Sequence, residues 1–432
     1  MVAALALAGL YSCSDEEVQS VVENEEVATT PTVSNFRVTE EKQVSAEELF
    51  ASSVSGLEQL GAENLIDNVR KNFEEKCSEL PVENGTRGIG ALLFKTARIE
   101  YQTTDQAGEE VTASALIVYP LLKKISEVML INHGTQIGIA MIPTKYTSVE
   151  AIMAATGALC ILPDYIGLGS SASHPDLYLN EDVHGRTSVD ALLALLDYAE
   201  AKNLPLKSDY KTTIIGYSQG GAVSLASLRR VQQLDEATQS RLHLQKVFCG
   251  DGPYDLRATF ESYMEDFENG KDIALGSVIP TVINSMFNSY PDEMADINYE
   301  DFFTTWALST GVPQAIRENS ETVSDMMLKF MNHSLDEILN MDYITNYPEH
   351  LNRLLGLMDR QNLCHGWTPK YPLKLLHCHP DGVVPFANYE EAVAGLSNSY
   401  VETEVVSVSE SLNPLLQHIY GMLVMINEVL GE

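Results

Sequence analysis

The chain has 432 residues, which is enough for one large α/β domain with an inserted subdomain. Its 61 acidic and 27 basic residues give a formal net charge of −34, and no basic patch interrupts the acidic trend. Because such a charge repels phosphate backbones, nucleic acid is excluded as an expected partner. The acidity is instead typical of a soluble, exported surface.

The first residues predict export. Residues 2–10 form an apolar run that is too short to span a bilayer but has the length of a signal-peptide core. The run ends in Leu-Tyr-Ser-Cys at residues 10–13, which resembles the cleavage site of a bacterial lipoprotein, although Tyr11 is bulky for its position and no basic residue precedes the run. We therefore predict a signal peptide over residues 1–13, lipidation and membrane attachment at Cys13, and an outer-membrane lipoprotein.

An acidic, Thr/Val/Asn-rich segment follows Cys13, and its composition cannot form a core. We predict a flexible tether over residues 14–44. Acidic residues directly behind a lipidated cysteine resemble the surface-export signal of some Gram-negative lipoproteins, or they form an ordinary solvated linker, so both the periplasmic and the cell-surface location stay open. Apolar residues at helical spacing then predict an N-terminal helical extension over residues 45–94.

Alternation of apolar and polar residues replaces the helical spacing after residue 94. Residues 97–101 and 111–118 predict a hairpin around the turn residues 105–108. Further strands alternate with helices, which predicts parallel βαβ units. The strands are predicted at residues 128–131, 158–162, 211–215 and 246–249, and the helices at 188–201 and 219–231.

The most informative motif is Gly-Tyr-Ser-Gln-Gly at residues 216–220, because it lies between a predicted strand and a predicted helix. That context is typical of a nucleophile elbow, a sharp strand-to-helix turn that exposes a serine hydroxyl. The glycines on either side leave room where a Cβ would collide. Ser218 is therefore the candidate nucleophile, and the N–H of Gln219 is a candidate donor to the oxyanion.

A stretch of about 100 residues after the next strand is mostly helical, with aromatic and methionine-rich faces. We predict that residues 259–362 form a helical cap over the serine, and that most of these aromatic side chains are the core of the cap itself. Strand character returns only at residues 373–378.

The acid of a catalytic triad is expected downstream of the serine. Asp381 lies in the turn after the strand at residues 373–378, on the edge of the sheet that carries Ser218. Its alternative role is to cap the helix at residues 388–396. Asp251 and Asp255, which follow the preceding strand, are the competing acids.

The base is predicted to be His418, in the loop after the last strand (residues 404–408) and at the start of a final amphipathic helix. A carboxylate at its far ring nitrogen would fix the tautomer and stabilise the imidazolium. The second oxyanion donor is expected in the loop after an earlier strand, where the N–H of either Gly134 or Thr135 fits.

One rival site is a Cys/His-rich cluster that could indicate zinc, made of Cys364, His365, His377, Cys378 and His379. Alternation along a strand puts Cys378 on the face opposite its two histidine neighbours, so a single ion does not collect these ligands. We expect no metal and no cofactor. Five cysteines remain after Cys13, an odd number, and no disulfide is predicted.

Several motifs in order resemble the secretory lipase family of α/β-hydrolases over residues 95–430. They are the Asn-His-Gly-Thr at 132–135, the Asp-Tyr-Ile-Gly-Leu-Gly at 164–169 with His174-Pro175, the elbow, the Gly-Pro-Tyr-Asp-Leu at 252–256, and the late Asp381 and His418. The resemblance implies an α/β-hydrolase fold with an eight-stranded, mostly parallel sheet, a helical cap, and carboxylic ester hydrolysis through an acyl-enzyme. It also implies that Ser218, Asp381 and His418 are the triad.

The expected order is therefore a signal peptide (1–13), a tether (14–44), a helical extension (45–94), the first part of the core (95–258), the cap (259–362) and the second part of the core (363–432). The expected partner is a small ester substrate. Two other functions stay open: a serine peptidase of the same fold, although no propeller blades precede the core, and a non-catalytic surface lipoprotein that binds a glycan or lipid.

Overall fold

Nine strands form one sheet within the residues that the computed structural model describes, which are 36–59, 63–81, 92–135, 143–144, 148–320 and 327–431. The predicted signal peptide, Cys13 and most of the predicted tether lie outside these residues. The strands are β1 (Arg37–Ser45), β2 (Leu93–Thr104), β3 (Glu110–Pro120), β4 (Ile125–Asn132), β5 (Leu159–Pro163), β6 (Leu206–Tyr217), β7 (Leu244–Gly250), β8 (Leu373–His379) and β9 (Val401–Ser407).

The strand order is β1-β2-β3-β5-β4-β6-β7-β8-β9. The first pairings, up to that of β3 with β5, are antiparallel, and every pairing from β5 to β9 is parallel. This sheet confirms the predicted fold class, and β2 and β3 form the predicted hairpin. Because parallel strands end at the same edge, the segments after β4, β6, β7 and β8 come together there.

The helices of the described residues cover both faces of the sheet and build the cap. They are α1 (Ala46–Gln59), α2 (Glu63–Glu79), α3 (Glu181–Ala201), α4 (Gln219–Gln233), α5 (Glu236–Leu242), α6 (Leu256–Glu268), α7 (Val278–Ser289), α8 (Thr305–Ser309), α9 (Val312–Arg317), α10 (Leu335–Ile338), α11 (Met341–Asn346), α12 (Pro348–Asp359), α13 (Ala387–Leu396) and α14 (Pro414–Gly431). Short 3₁₀ turns include Val149–Thr156.

Two hydrophobic cores lie on the two faces of the sheet, since successive strand residues point to opposite sides. Ile214 of β6 packs into the core that contains α3 and α4. Its neighbour Ile215 packs into the core that contains α1, α2, the 3₁₀ turn Val149–Thr156 and α14. The N-terminal helices thus support α14, and they share this face through the side-chain hydrogen bond from Asn72 to Asn427, 2.9 Å long.

The cap is inserted between β7 and β8 and includes α6 to α12. Phe302 and Phe303 are almost fully buried, and both contact neighbouring aromatic rings edge-on. Most aromatic side chains of the cap therefore form its own core, as the sequence predicts, whereas Trp306 is 39% exposed.

The first strand corrects the predicted extent of the tether and the implied strand number. Residues 37–44 are not a flexible tether but belong to β1, which adds a ninth strand at the edge of the sheet. Ion pairs across the strands hold it there, with Arg98 bonded to Glu40 and Lys95 to Glu41. The strand depends on charge complementarity with β2 rather than on an apolar pattern, so its composition resembles that of a linker.

The position of His418 also differs from the prediction. The final helix α14 begins at Pro414, so His418 lies inside the helix rather than in the loop before it. Proline is favoured in the first turn of a helix, where its missing N–H costs nothing. The base is therefore held by a regular, packed element. The five described cysteines are buried and unpaired.

Candidate active site

Ser218 stands on a sharp turn between β6 and α4. Its backbone has φ 59° and ψ −127°, a conformation that non-glycine residues rarely adopt. A Cβ at Gly216 would lie 2.1 Å from the carbonyl oxygen of Gly220, and a Cβ at Gly220 would lie 2.0 Å from the carbonyl oxygen of Asn132. Only glycine fits at both positions, so the motif has the geometry of a nucleophile elbow.

Asp381 and His418 are joined at the same edge of the sheet. His418 Nδ1 lies 2.6 Å from Asp381 Oδ2, and the Asp381 side chain is fully buried. The other oxygen, Oδ1, accepts the backbone N–H groups of Val383 at 2.7 Å and Val384 at 3.2 Å. Burial alone would raise the pKa of Asp381, but the facing His418 and its hydrogen bond hold that pKa below its usual value.

Tyr217 links the serine turn to the histidine. The rings of Tyr217 and His418 lie 5.0 Å apart between centroids, and Tyr217 directly precedes Ser218. Ser218 is 9% exposed, and across the described residues no hydrogen bond joins its Oγ to His418. Such bonds are often long in a free enzyme and shorten when substrate binds. With Nδ1 engaged by Asp381, Nε2 is the ring nitrogen left for the serine.

The predicted oxyanion donors lie on two elements beside the serine. Gln219 is the first residue of α4, so its N–H is not used by the helix ladder. A Cβ built on Gly134 would lie 3.7 Å from Ser218 Cβ, which places the loop after β4 against the nucleophile. The neighbouring Thr135 hydroxyl lies 2.8 Å from the Tyr178 hydroxyl.

Two stacked, buried rings hold the loop after β4 in place. The His133 ring stacks on Tyr165 with 4.1 Å between ring centroids, and the Tyr165 hydroxyl donates to the His133 carbonyl oxygen at 3.0 Å. Burial lowers the pKa of His133 to about 4, so the ring is neutral in the physiological range. His133 is therefore a structural residue of the loop.

The two competing acids have different places. Asp255 caps helix α6, where its carboxylate accepts the N–H of Ala258 at 3.0 Å and the side-chain amide of Asn362 at 2.6 Å. It is a structural residue. Asp251 is fully buried and lies beside Asp381.

One group of side chains has the compactness of a cation site. Ligand atoms of Asp251, His377 and Asp381 all lie within 4.8 Å of one another. The carboxylate oxygens of this group already accept hydrogen bonds from Cys378, Val383 and His418. The two carboxylates are thus engaged by hydrogen bonds, whereas His377 Nδ1 only lies near Asp251 Oδ1, at 3.1 Å. Of the residues in the zinc alternative from the sequence, only His377 belongs to this group.

Tyr217 is the residue of this site that sequence reasoning missed. It occupies the variable position of the motif, so the pattern assigns it no role. Its hydroxyl donates to Asp251 and its ring packs on His418, which connects the elbow to both acids. An apolar strand end followed directly by an aspartate, as at residues 247–251, is the signal that could have indicated a buried partner.

Comparison with known proteins identifies a family and a shared fold. The model of the secretory lipase family covers residues 132–423, which is more than half of the chain. The rice cell wall degrading esterase LipA from Xanthomonas oryzae superposes with a TM-score of 0.66 at 18% identity, covering 92% of this chain and 96% of that chain. No curated protein matches the chain.

Two further solved structures share the fold. A putative hydrolase from Legionella pneumophila has a TM-score of 0.67 at 18% identity, covering 92% of this chain and 96% of that chain. Candida antarctica lipase A in its closed state has a TM-score of 0.56 at 14% identity, covering 91% of this chain and 82% of that chain.

The mostly parallel sheet, the inserted cap and the serine elbow define an α/β-hydrolase. With most of its length matched by the family model, the chain belongs to the secretory lipase family. It is therefore a carboxylic ester hydrolase, and the family indicates an exported protein.

Proposed function

We propose that the protein hydrolyses carboxylic esters through an acyl-enzyme on Ser218, with His418 as the general base and Asp381 as its orienting acid. One observation supports this proposal: an elbow serine follows β6 and a buried Asp–His pair follows β8, at the edge where the parallel strands of the sheet end. The ring of Tyr217, the residue before Ser218, packs against the His418 ring.

The proposed reaction begins when His418 Nε2 takes the proton of the Ser218 hydroxyl as Oγ attacks the ester carbonyl carbon. The carbonyl electron pair moves onto oxygen, which accepts the N–H of Gln219 and that of Gly134 or Thr135. One such donor contributes about 3 to 4 kcal/mol to the transition state. The imidazolium then protonates the leaving alcohol, and water repeats the sequence to release the acid.

A hydrophobic acyl group is the substrate part that the cap favours. A cavity that is partly open to solvent lies in the cap and is lined almost entirely by apolar side chains, including Phe260, Val282, Ile283, Phe302, Leu351 and Met358. Tyr263 also lines it and donates its hydroxyl to the Val383 carbonyl oxygen at 2.7 Å. The cavity therefore borders the loop that carries Asp381.

A chain-length series tests the proposed function. We expect the purified enzyme to hydrolyse p-nitrophenyl acyl esters, with kcat/KM rising about fourfold per added methylene until the cavity is filled, because each buried CH₂ contributes about 0.8 kcal/mol. The measurement is release of p-nitrophenolate over a series of acyl lengths.

Two controls test whether the cap cavity binds the acyl group and whether the enzyme prefers esters to amides. Val282→Trp should reduce turnover of long esters far more than that of acetate, whereas Val282→Ala should not, because only the larger side chain occupies the cavity. The matched p-nitroanilides test the peptidase alternative, since an amidase must also protonate a poor leaving group. Equal turnover of anilides and esters would contradict the proposed ester preference.

We further propose that the exported enzyme is a lipoprotein attached through Cys13. The lipobox-like residues 10–13 support this proposal. Cys13→Ser in the full chain should move the enzyme from the membrane fraction to the soluble fraction, as measured by fractionation and immunoblot. A variant that stays in the membrane fraction would contradict lipidation at this residue.

A further inference from the structure

Two buried aspartates lie side by side behind the proposed base. Asp251 directly follows β7, and Asp381 follows the neighbouring parallel strand β8. Both side chains are fully buried, and their oxygens lie within 4.8 Å of each other and of a His377 ring nitrogen. The proposed mechanism uses only Asp381, so the second carboxyl group needs an explanation.

Asp251 follows β7 and is hydrogen-bonded to both neighbouring strands, β6 and β8. Its Oδ1 accepts the backbone N–H of Cys378 in β8 at 2.7 Å, and its Oδ2 accepts the hydroxyl of Tyr217 in β6. Its own N–H donates to the Leu376 carbonyl oxygen at 3.0 Å. The residue keeps these contacts with φ at 40°, in the left-handed region. These contacts of Asp251 thus fix the end of β8, the strand that Asp381 follows.

Several titratable side chains face the two aspartates. They are the hydroxyls of Tyr217, Tyr254 and Tyr263, the thiol of Cys378, and the imidazoles of His377 and His418. Burial lowers the pKa of His377 to about 4, so this ring is neutral in the physiological range and does not offset the charge of the pair. Two ionised carboxylates this close in a buried site would repel each other strongly.

We propose that Asp251 is a positioning residue that keeps its proton and, as a neutral acid, concentrates the single negative charge of the pair on Asp381 beside His418. This inference rests on the proposed function, because it gives Asp251 a role behind the same triad. Burial and the neighbouring Asp381 charge both act in this direction, since they raise the pKa of Asp251 well above its usual value.

If Asp251 were ionised as well, its charge would change the proton affinity of His418. It would stabilise the His418 imidazolium further, so the ring would hold its proton at the pH at which it must accept one. A neutral Asp251 avoids this effect, because its acid proton can be donated to the adjacent Asp381 carboxylate while the Cys378 N–H still donates to Oδ1. Through Tyr217 it also holds the residue before Ser218 and the ring that packs on His418.

Infrared difference spectroscopy tests the protonation state directly. Burial also raises the pKa of other acids, to about 6 or 7 for Asp164, Asp176, Glu181 and Asp190, and less strongly for Glu150. At a mildly alkaline pH these acids have lost their protons, and we expect the wild-type enzyme to retain a carboxylic-acid C=O band. Asp251→Asn should remove that band, and the matched control Asp255→Asn should keep it.

Two results would overturn the proposal. A wild-type enzyme without the band, or a folded Asp251→Asn variant that retains it, would mean that Asp251 is ionised. Should the asparagine variant not fold, Tyr217→Phe provides a second test: loss of the hydroxyl donor should shift the band, and an unshifted band would assign it to another acid. None of these spectra requires turnover, so an inactive enzyme that shows the band would refute the proposed function alone.

The pH profile of Asp251→Asn separates positioning from a purely structural role. We expect kcat to fall about threefold to tenfold, because asparagine has one carbonyl oxygen for the two donors, Cys378 N–H and the Tyr217 hydroxyl. The acid limb of kcat/KM should keep its midpoint, since the charge next to Asp381 is unchanged. A shift of that limb to lower pH by about one unit or more would show that wild-type Asp251 is ionised, and would overturn the proposal.

Discussion

Ser218→Ala should reduce kcat/KM for p-nitrophenyl esters by about 10⁴-fold to 10⁶-fold, the range expected when a covalent nucleophile is lost. The expected loss is large because no neighbouring group can form the acyl-enzyme in its place. The residual rate measures what the oxyanion donors and substrate binding contribute without the nucleophile. Initial rates over a series of substrate concentrations give both the loss in kcat/KM and the residual rate.

The fold of this variant should be unchanged. Alanine has the Cβ that already occupies the turn, and the backbone bonds of Ser218, from its N–H to the Gly250 carbonyl oxygen at 2.9 Å and from the Gly221 N–H to its own carbonyl oxygen at 2.8 Å, do not use the hydroxyl. A melting temperature close to that of the wild type checks this point.

Ser227→Ala is the matched control, since Ser227 is a buried serine on the same helix whose hydroxyl bonds only to the Val223 carbonyl oxygen. A fluorophosphonate probe should label the wild type and the control and leave Ser218→Ala unlabelled. Full activity in pure Ser218→Ala protein would assign the nucleophile to another residue.

The parts of the fold that the sequence predicts well have local signals. The elbow combines glycines with a β-branched strand on one side and an Ala/Leu/Ser helix on the other, and the structure has β6 and α4 at those places. The hairpin β2–β3 and the parallel strands also follow from short periodic segments. Chain order then indicates Asp381 and His418, because parallel strands deliver their ends to one edge.

The remaining features depend on distant partners and have no local signal. β1 is held by ion pairs to β2, about 60 residues further along the chain, so its own composition resembles a linker. The choice between Gly134 and Thr135 as oxyanion donor depends on the orientation of single peptide groups. The role of Tyr217 depends on Asp251, which approaches it from another strand.

Asp381→Asn should reduce kcat by about 10⁴-fold, as expected when the base is held in the wrong tautomer. The local contacts give the reason. The Val383 and Val384 N–H groups point at the Oδ1 position, so the asparagine carbonyl oxygen should take that position and its NH₂ group should face His418 Nδ1. Nδ1 would then accept a hydrogen bond, Nε2 would carry the proton, and the ring could not deprotonate Ser218.

The same variant decides which acid serves the base. Asp255→Asn is its matched control, because that carboxylate caps α6 and should leave kcat close to the wild-type value. If Asp381→Asn lost less than about tenfold in kcat, the orienting role would belong to Asp251, the acid after the preceding strand. A large loss, with normal labelling of the control by the fluorophosphonate, places that role on Asp381, since Asp251 remains in the variant and does not replace it.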